Sequence, residues 1–223
     1  MTRMTLYSGP LSMFGAKAEI AAHEKGLPVE VVMVPFTDDH RYEPKHPDVL
    51  RVNPKRQVPV LLHGPVELFD STQIFEYFED LKPDPPLWPA GVPQRAAARQ
   101  RELWSDEVFF PPVIRLMGLE GRWTEPPALQ AIAEINRHYA DVEAVLEGRD
   151  YLAGAYSYAD IAFLMAQLFA ARKGAPMGTA TPRLLAWRER MVARPAAHRV
   201  LLDFRHTLGR MKLPIPEFLP HPT

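Results

Sequence analysis

Apolar positions change their spacing once along this chain, near residue 83. Before that point short β-type runs alternate with helical patterns. Residues 4–7 read as a strand that Ser8-Gly9-Pro10 ends. Residues 14–25 read as a helix, with Ile20 and Ala21 facing inward and Gly26 as its stop. Residues 29–34 are rich in β-branched side chains and form a second strand. Strand, helix and strand in this order predict a parallel crossover unit. Residues 38–47 are polar and irregular, and 48–52 allow one helical turn. The run 58–62 is a buried strand, and His63-Gly64-Pro65 turns it into a partner at 66–69, a hairpin. Ser71 opens a helix to about residue 81, with Ile74, Phe75, Phe78 and Leu81 on one face.

Four prolines between residues 83 and 89 then make a stiff linker. Beyond it the strand signals stop. Residues 94–110 are helical, ended or kinked by Pro111-Pro112, and the helix resumes over 113–119. Residues 129–146 carry Ile132, Ile135, Tyr139, Val142 and Leu146 at helical spacing. Residues 157–172 are apolar on every side and read as a central buried helix. Two further helices span 182–193 and 196–208, and the tail from Pro214 packs as coil. Ser157-Tyr158-Ala159-Asp160 is a capping box with Asp in the place of Glu or Gln. Its loss costs about 1 kcal/mol or more. The fold class is therefore α/β followed by all-α: a first domain over 1–82, a linker over 83–93 and a helical domain over 94–223.

Composition narrows the chemistry. The 223 residues suffice for one large or two ordinary domains, and 47% apolar with 24% charged is ordinary for a globular protein. A net charge of -1 offers no field for nucleic acid or anionic membrane. The absence of cysteine excludes disulfides, zinc-thiolate sites and a protein thiol nucleophile. Eight histidines lack metal-ligand spacing, so no metal is expected. No apolar run has the length of a membrane span, and the start lacks a signal-peptide core, which predicts a cytoplasmic protein.

Pro59 stands inside the 58–62 run, where it removes a ladder donor. Either it begins an edge strand, or a cis Val58–Pro59 bond turns the chain and leaves the Val58 backbone for an outside partner. Three motifs bear on that choice: Asn53-Pro54 to Val58-Pro59-Val60-Leu61, Asp70-Ser71-Thr72-Gln73-Ile74 with Tyr77-Phe78, and Gly154-Ala155-Tyr156-Ser157-Tyr158-Ala159-Asp160-Ile161. In this order and spacing, around a Pro-rich linker, they resemble the cytosolic glutathione transferases over nearly the whole chain. The resemblance implies a thioredoxin-like glutathione-binding domain, a helical domain with a hydrophobic-substrate pocket, and a homodimer. It takes glutathione as co-substrate and no metal.

Roles follow from the resemblance residue by residue. Ser71, at a helix start, offers hydroxyl, backbone N–H groups and the positive dipole end to the γ-glutamyl carboxylate. Asp70 pairs with the ammonium, although most of the family carries Glu or Gln there. The backbone of Val58 before Pro59 pairs with the cysteinyl part. Gln57 and Lys45 take the glycyl carboxylate. Ser12, in Ser12-Met13-Phe14-Gly15, resembles the thiol-activating serine, with Met13 where the pattern has proline. Tyr7 is the second choice and Ser8 the third. Ser12 is also an ordinary N-cap, a role compatible with the first. Lowering a thiol pKa by about two units is about 2.7 kcal/mol of differential stabilisation. Phe14, Phe109, Phe110, Arg115 and Met117 are the candidate walls of the substrate pocket. The expected reaction is conjugation of glutathione to a hydrophobic electrophile by a Ser-type, theta-like enzyme. Alternatives are an isomerase, lyase, dehalogenase or hydroperoxide-reducing peroxidase on the same thiol site, or a non-catalytic binding or scaffold protein.

Overall fold

Four short strands form one mixed sheet in the order β2-β1-β3-β4. The computed structural model describes residues 3–37 and 39–222, so Asp38, at the head of the expected irregular stretch, lies outside the described residues. β1 (Met4–Ser8) and β2 (Val29–Met33) run parallel, joined by α1 (Met13–Glu24), the predicted crossover. β3 (Val60–His63) is antiparallel to β1 and to β4 (Val66–Phe69). Gly64 makes their tight connection at φ 59°, a conformation that suits glycine. α2 (Pro47–Val52) packs Val49 and Val52 onto Tyr7, Val34 and Val60, closing one face. Leu6 and Leu61 alternate to the opposite face and are fully buried, as are Ile20 of α1 and Ile74, Phe75 and Phe78 of α3 (Ser71–Leu81).

The chain's contacts divide it into two units. The first holds Met1–Pro86, Pro195–Leu213 and Pro220–Thr223; the second holds Leu87–Arg194 and Pro214–Leu219. α9 (Pro195–Arg210) thus belongs by packing to the first unit, where it lies against α1. Lys25, just past α1, is a fully buried lysine. Its ammonium pairs with Glu79 and donates to the Pro85 carbonyl at 2.7 Å and the Pro83 carbonyl at 3.3 Å. The prolines offer acceptors without donors, so a buried cation is what their carbonyls can use.

The second unit is helical: α4 (Val92–Trp104), α5 (Phe110–Met117), α6 (Pro126–Val145), α7 (Tyr158–Arg172) and α8 (Pro182–Ala193). Pro111-Pro112 does not end the helical run. A single π-helical stretch, Ser105–Phe109, precedes α5, and the prolines fall in its first turn, where a missing N–H is tolerated. α7 is buried along nearly its whole length. Its capping box is present and reaches further than the motif requires. One oxygen of the buried Asp160 carboxylate accepts the Ser157 N–H at 3.0 Å and the Ser157 hydroxyl at 3.2 Å. The other accepts the Leu152 N–H and the Trp187 indole N–H, both at 2.9 Å. Among the described residues no helix is long and apolar enough to cross a membrane.

Candidate functional site

Strand register gathers three loops of the first unit at one end of the sheet. Tyr7, Val60 and Phe69 lie in one row across β1, β3 and β4, and Met33 pairs with Ser8 just beyond that row. The next residues outward are Pro59 before β3 and Asp70 after β4. The turn into α1, the Val58–Pro59 bond and the entry to α3 therefore share that end.

Ser12 is the N-cap of α1 and is half-buried; its Oγ accepts the Gly15 N–H at 3.0 Å. Among the described residues no acceptor takes its own proton. The hydroxyl can therefore donate to an anion held at the positive end of the helix. Gly15 has a packing reason: a Cβ there would lie 2.2 Å from Ser8 Oγ and 3.2 Å from Ser12 Oγ. Both hydroxyls close over the glycine.

At α3 the structure refines the expected start. Asp70, not Ser71, is the N-cap; it accepts from the N–H groups of Thr72 at 3.0 Å and Gln73 at 3.3 Å. Ser71 is the first helical residue and is buried. Asp70 holds φ 75°, a conformation that costs a non-glycine residue on the order of 1–3 kcal/mol and clusters at binding sites. The Val58–Pro59 bond is cis, and Val58 sits ahead of the ladder, which begins at Val60. Asn53 braces this turn by donating to the Gln57 carbonyl at 2.6 Å and accepting the Lys55 N–H at 2.9 Å. The Gln57 side chain is exposed, and Lys45 pairs with Glu43 at 3.1 Å.

Tyr7 is placed differently from a thiol donor. Its hydroxyl donates to Asp48 at 2.6 Å, and its ring lies 4.4 Å from that of His46. That hydrogen bond and burial push its pKa up to about 12, and the same bond holds the Asp48 carboxyl below its ordinary value. The hydroxyl is committed to α2. Ser8 is fully buried and donates to the Glu19 carboxylate.

The candidate pocket residues separate. Phe14 is half-buried on α1, with the Lys17 ammonium 5.4 Å from its ring. In the second unit Phe109 is fully buried, its ring 5.0 Å from Phe163 and 5.3 Å from Tyr139. It offers no surface to a ligand and is core. Phe110 stacks on Phe169 at 5.2 Å. Arg115 is exposed and paired with Glu134, and Met117 is half-buried. Among the described residues no group of three or more His, Asp or Glu could hold a metal ion.

Sequence reasoning missed a cavity in the first unit. About 320 Å³ in volume, it is lined by Pro10 from the turn into α1, Glu19 of α1, Met33 at the end of β2, and Asp203, Phe204 and His206 among others of α9. Pro10 lies two residues before Ser12 and Met33 pairs with Ser8, so these two lining residues stand at the sheet end that carries the capping hydroxyl. Glu19 is 4% exposed, and burial pushes its carboxyl up to about 7. The one signal in the sequence was an acid set directly among small and apolar helical neighbours, Ala18, Ile20, Ala21 and Ala22.

A mixed β2-β1-β3-β4 sheet with helices on both faces, followed by a helical domain, is a thioredoxin-like domain in the glutathione transferase fold. Residues 6–86 match the family profile described as glutathione S-transferase, N-terminal domain, and residues 109–195 match glutathione S-transferase, C-terminal domain. Glutathione S-transferase 3 of Zea mays is 32% identical over 97% of this chain and 98% of its own length. A stringent starvation protein A homolog of Coxiella burnetii is 35% identical, over 43% of this chain and only 43% of its own length. A glutathione transferase family member of Pseudomonas fluorescens, solved with two glutathione bound, superposes with a TM-score of 0.76 at 26% identity, over 89% of this chain and 92% of that one. This chain belongs to the glutathione S-transferase family.

Proposed function

We propose that the protein is a Ser-type glutathione transferase that joins the glutathione thiolate to an electrophilic carbon of a hydrophobic small molecule. One observation carries the reading. A single sheet end gathers a helix-capping hydroxyl with its proton uncommitted, the cis Val58–Pro59 turn and the strained Asp70 entry to α3. Glutathione is an anion with a thiol. The N-termini of α1 and α3 supply positive potential to its two ends, and Ser12 donates to the thiolate. The backbone of Val58 pairs with the cysteinyl part, Asp70 and Ser71 meet the γ-glutamyl end, and Gln57 and Lys45 lie on the glycyl side. The cavity beside Pro10 and Met33 receives the electrophile. Catalysis is then thiol activation plus positioning. With no cysteine in the chain, a mixed disulfide with the protein cannot form, so thiol-transfer chemistry is not part of the proposal. Homodimerisation and a cytoplasmic location belong to the same proposal.

Calorimetric titration with reduced glutathione tests it. Saturable binding weakened about tenfold by Ser71→Ala, which is about 1.4 kcal/mol, supports the site. Ser12→Ala should leave binding within a few fold and raise the pKa of bound thiol by about one to two units, read from thiolate absorbance against pH. No binding at millimolar glutathione overturns the proposal and favours a non-catalytic role.

A further inference from the structure

We propose that Ser8 and Glu19 are positioning residues behind Ser12: Ser8 holds the Glu19 carboxyl in place, and the charge on that carboxyl decides how acidic a thiol bound at Ser12 becomes. The pair makes thiolate formation self-limiting above neutral pH. This inference rests on the reading of the chain as a glutathione transferase and adds a regulator to that same site.

The placement comes from α1. Ser12 caps the helix, and Glu19 lies two turns further on the same face, with Gly15 between them. Helical side chains lean toward the N-terminus, so the Glu19 carboxyl reaches back toward Gly15. There Ser8, fully buried at the end of β1, donates to it. The same spot borders Ser12. A Cβ on Gly15 would lie 2.2 Å from Ser8 Oγ and 3.2 Å from Ser12 Oγ, so the two hydroxyl oxygens stand within roughly 5.5 Å of each other. Ser8 spends its proton on Glu19. Ser12 accepts the Gly15 N–H and, among the described residues, keeps its own proton for an anion.

The carboxyl is poised to change charge. Its hydrogen-bond donor, Ser8, is a neutral group, and Glu19 is 4% exposed. From α9 it faces Asp203 and Arg199, which act in opposite directions, and His206 and Arg210, which line the same cavity. His23, on its own face of α1, has a pKa that burial lowers, whereas Lys17 and Glu24 lie on the opposite face of the helix. On the α3 side Lys25 and Glu79 neutralise each other. Burial therefore dominates and pushes the Glu19 carboxyl up to about 7, against the Ser8 bond.

The two ionisations are coupled through space. A sulfur that accepts from Ser12 lies on the order of 10 Å from the Glu19 carboxyl, by way of the two serine hydroxyls. While Glu19 is neutral, the positive end of α1 and the Ser12 hydroxyl act on the thiol unopposed. Once Glu19 ionises, a like charge at that separation raises the thiol pKa by about one unit, taking an effective dielectric of about 20. The thiol proton leaves to water in both states, so Glu19 acts on the acidity and does not carry the proton.

The test titrates the reduced-glutathione complexes of wild type, Glu19→Gln and Ser8→Ala from about pH 5 to about pH 9, reading thiolate absorbance. Wild type should ionise over a widened range, its upper half displaced by about one unit, as coupled groups do. Glu19→Gln keeps an acceptor for Ser8 and carries no charge. Its curve should follow wild type in the acid limb and then rise as one steeper step. Ser8→Ala removes a donor that favours the ionised carboxyl, so the flattening should begin at a higher pH than in wild type. A structural role alone would displace the whole curve or weaken binding without changing its shape. A Glu19→Gln curve that overlays wild type at every pH, or stands off by the same amount throughout, overturns the inference. So does a Ser8→Ala curve in which the flattening does not move. Each of those results, with saturable glutathione binding by calorimetry, leaves the transferase reading intact. A wild type that binds no glutathione refutes that reading, and the inference falls with it.

Discussion

Asp160 gives the sharpest test of how the second unit is held together. Its carboxylate is buried and takes four donors, from Leu152 and Trp187 on one oxygen and from the backbone and hydroxyl of Ser157 on the other. Asp160→Ala removes the acceptor from three buried N–H groups; the Ser157 hydroxyl can rotate elsewhere. An unsatisfied buried donor costs about 1–3 kcal/mol, so the expected loss is about 4 kcal/mol. Asp160→Asn differs in a specific way. Its single carbonyl can serve Leu152 and Trp187, while its NH2 faces the Ser157 N–H. One bond is lost and one repulsion gained, about 2 kcal/mol. Equilibrium urea unfolding followed by tryptophan fluorescence reads both values, and Trp187 reports from the network itself. The pH dependence adds a second arm. Burial raises the Asp160 carboxyl from 3.8 to about 6, against the pull of its four hydrogen bonds. For an acid raised in the fold, stability increases as pH falls through the folded value and levels below the unfolded one. The gap between wild type and Asp160→Asn should therefore widen between pH 6 and pH 4, by about 3 kcal/mol at most. A loss under about 1 kcal/mol for Asp160→Ala, an Asn variant as damaged as the Ala variant, or a gap that narrows on acidification would refute the reasoning.

Gly15→Ala forces a methyl to 2.2 Å from Ser8 Oγ, so glutathione turnover should fall at least tenfold while the far-ultraviolet dichroism of the folded chain is kept. Tyr7→Phe removes the hydroxyl that Asp48 holds and not a thiol donor; kcat should change less than about twofold and stability should fall about 1 kcal/mol, read by kinetics and a thermal melt. A kcat loss of a hundredfold would return Tyr7 to the thiol. Lys25→Met leaves Glu79 and the carbonyls of Pro83 and Pro85 without their cation, and urea unfolding should show a loss of about 3 kcal/mol or more.

Much of the fold follows from local signals. The crossover, the hairpin and α8 appear where periodicity and turn residues put them, because each is decided within a dozen neighbours. The Asp160 box was legible for the same reason, but its bonds to Leu152 and Trp187 were not, since neither lies within the motif. Pro111-Pro112 misleads locally: a π-helical stretch carries the helix past it. At the site, Ser12 reads correctly as a cap, whereas α3 is capped by Asp70, one residue before the serine that attracts attention. Glu19 was invisible because an acid in a helix is ordinarily solvated. What makes it buried is α9, nearly two hundred residues away, and no local pattern reports that packing.

The placement of α9 has a consequence for how the chain is made. Its first unit is discontinuous, with Leu87–Arg194 of the second unit lying between Pro86 and Pro195. A ribosome adds about 5–20 residues per second, so α1 waits on the order of ten seconds for the helix that covers it. The segment made before the second unit is thus completed only after it. During synthesis Glu19 faces water and ionises like any glutamate, and the cavity does not exist until α9 has been made.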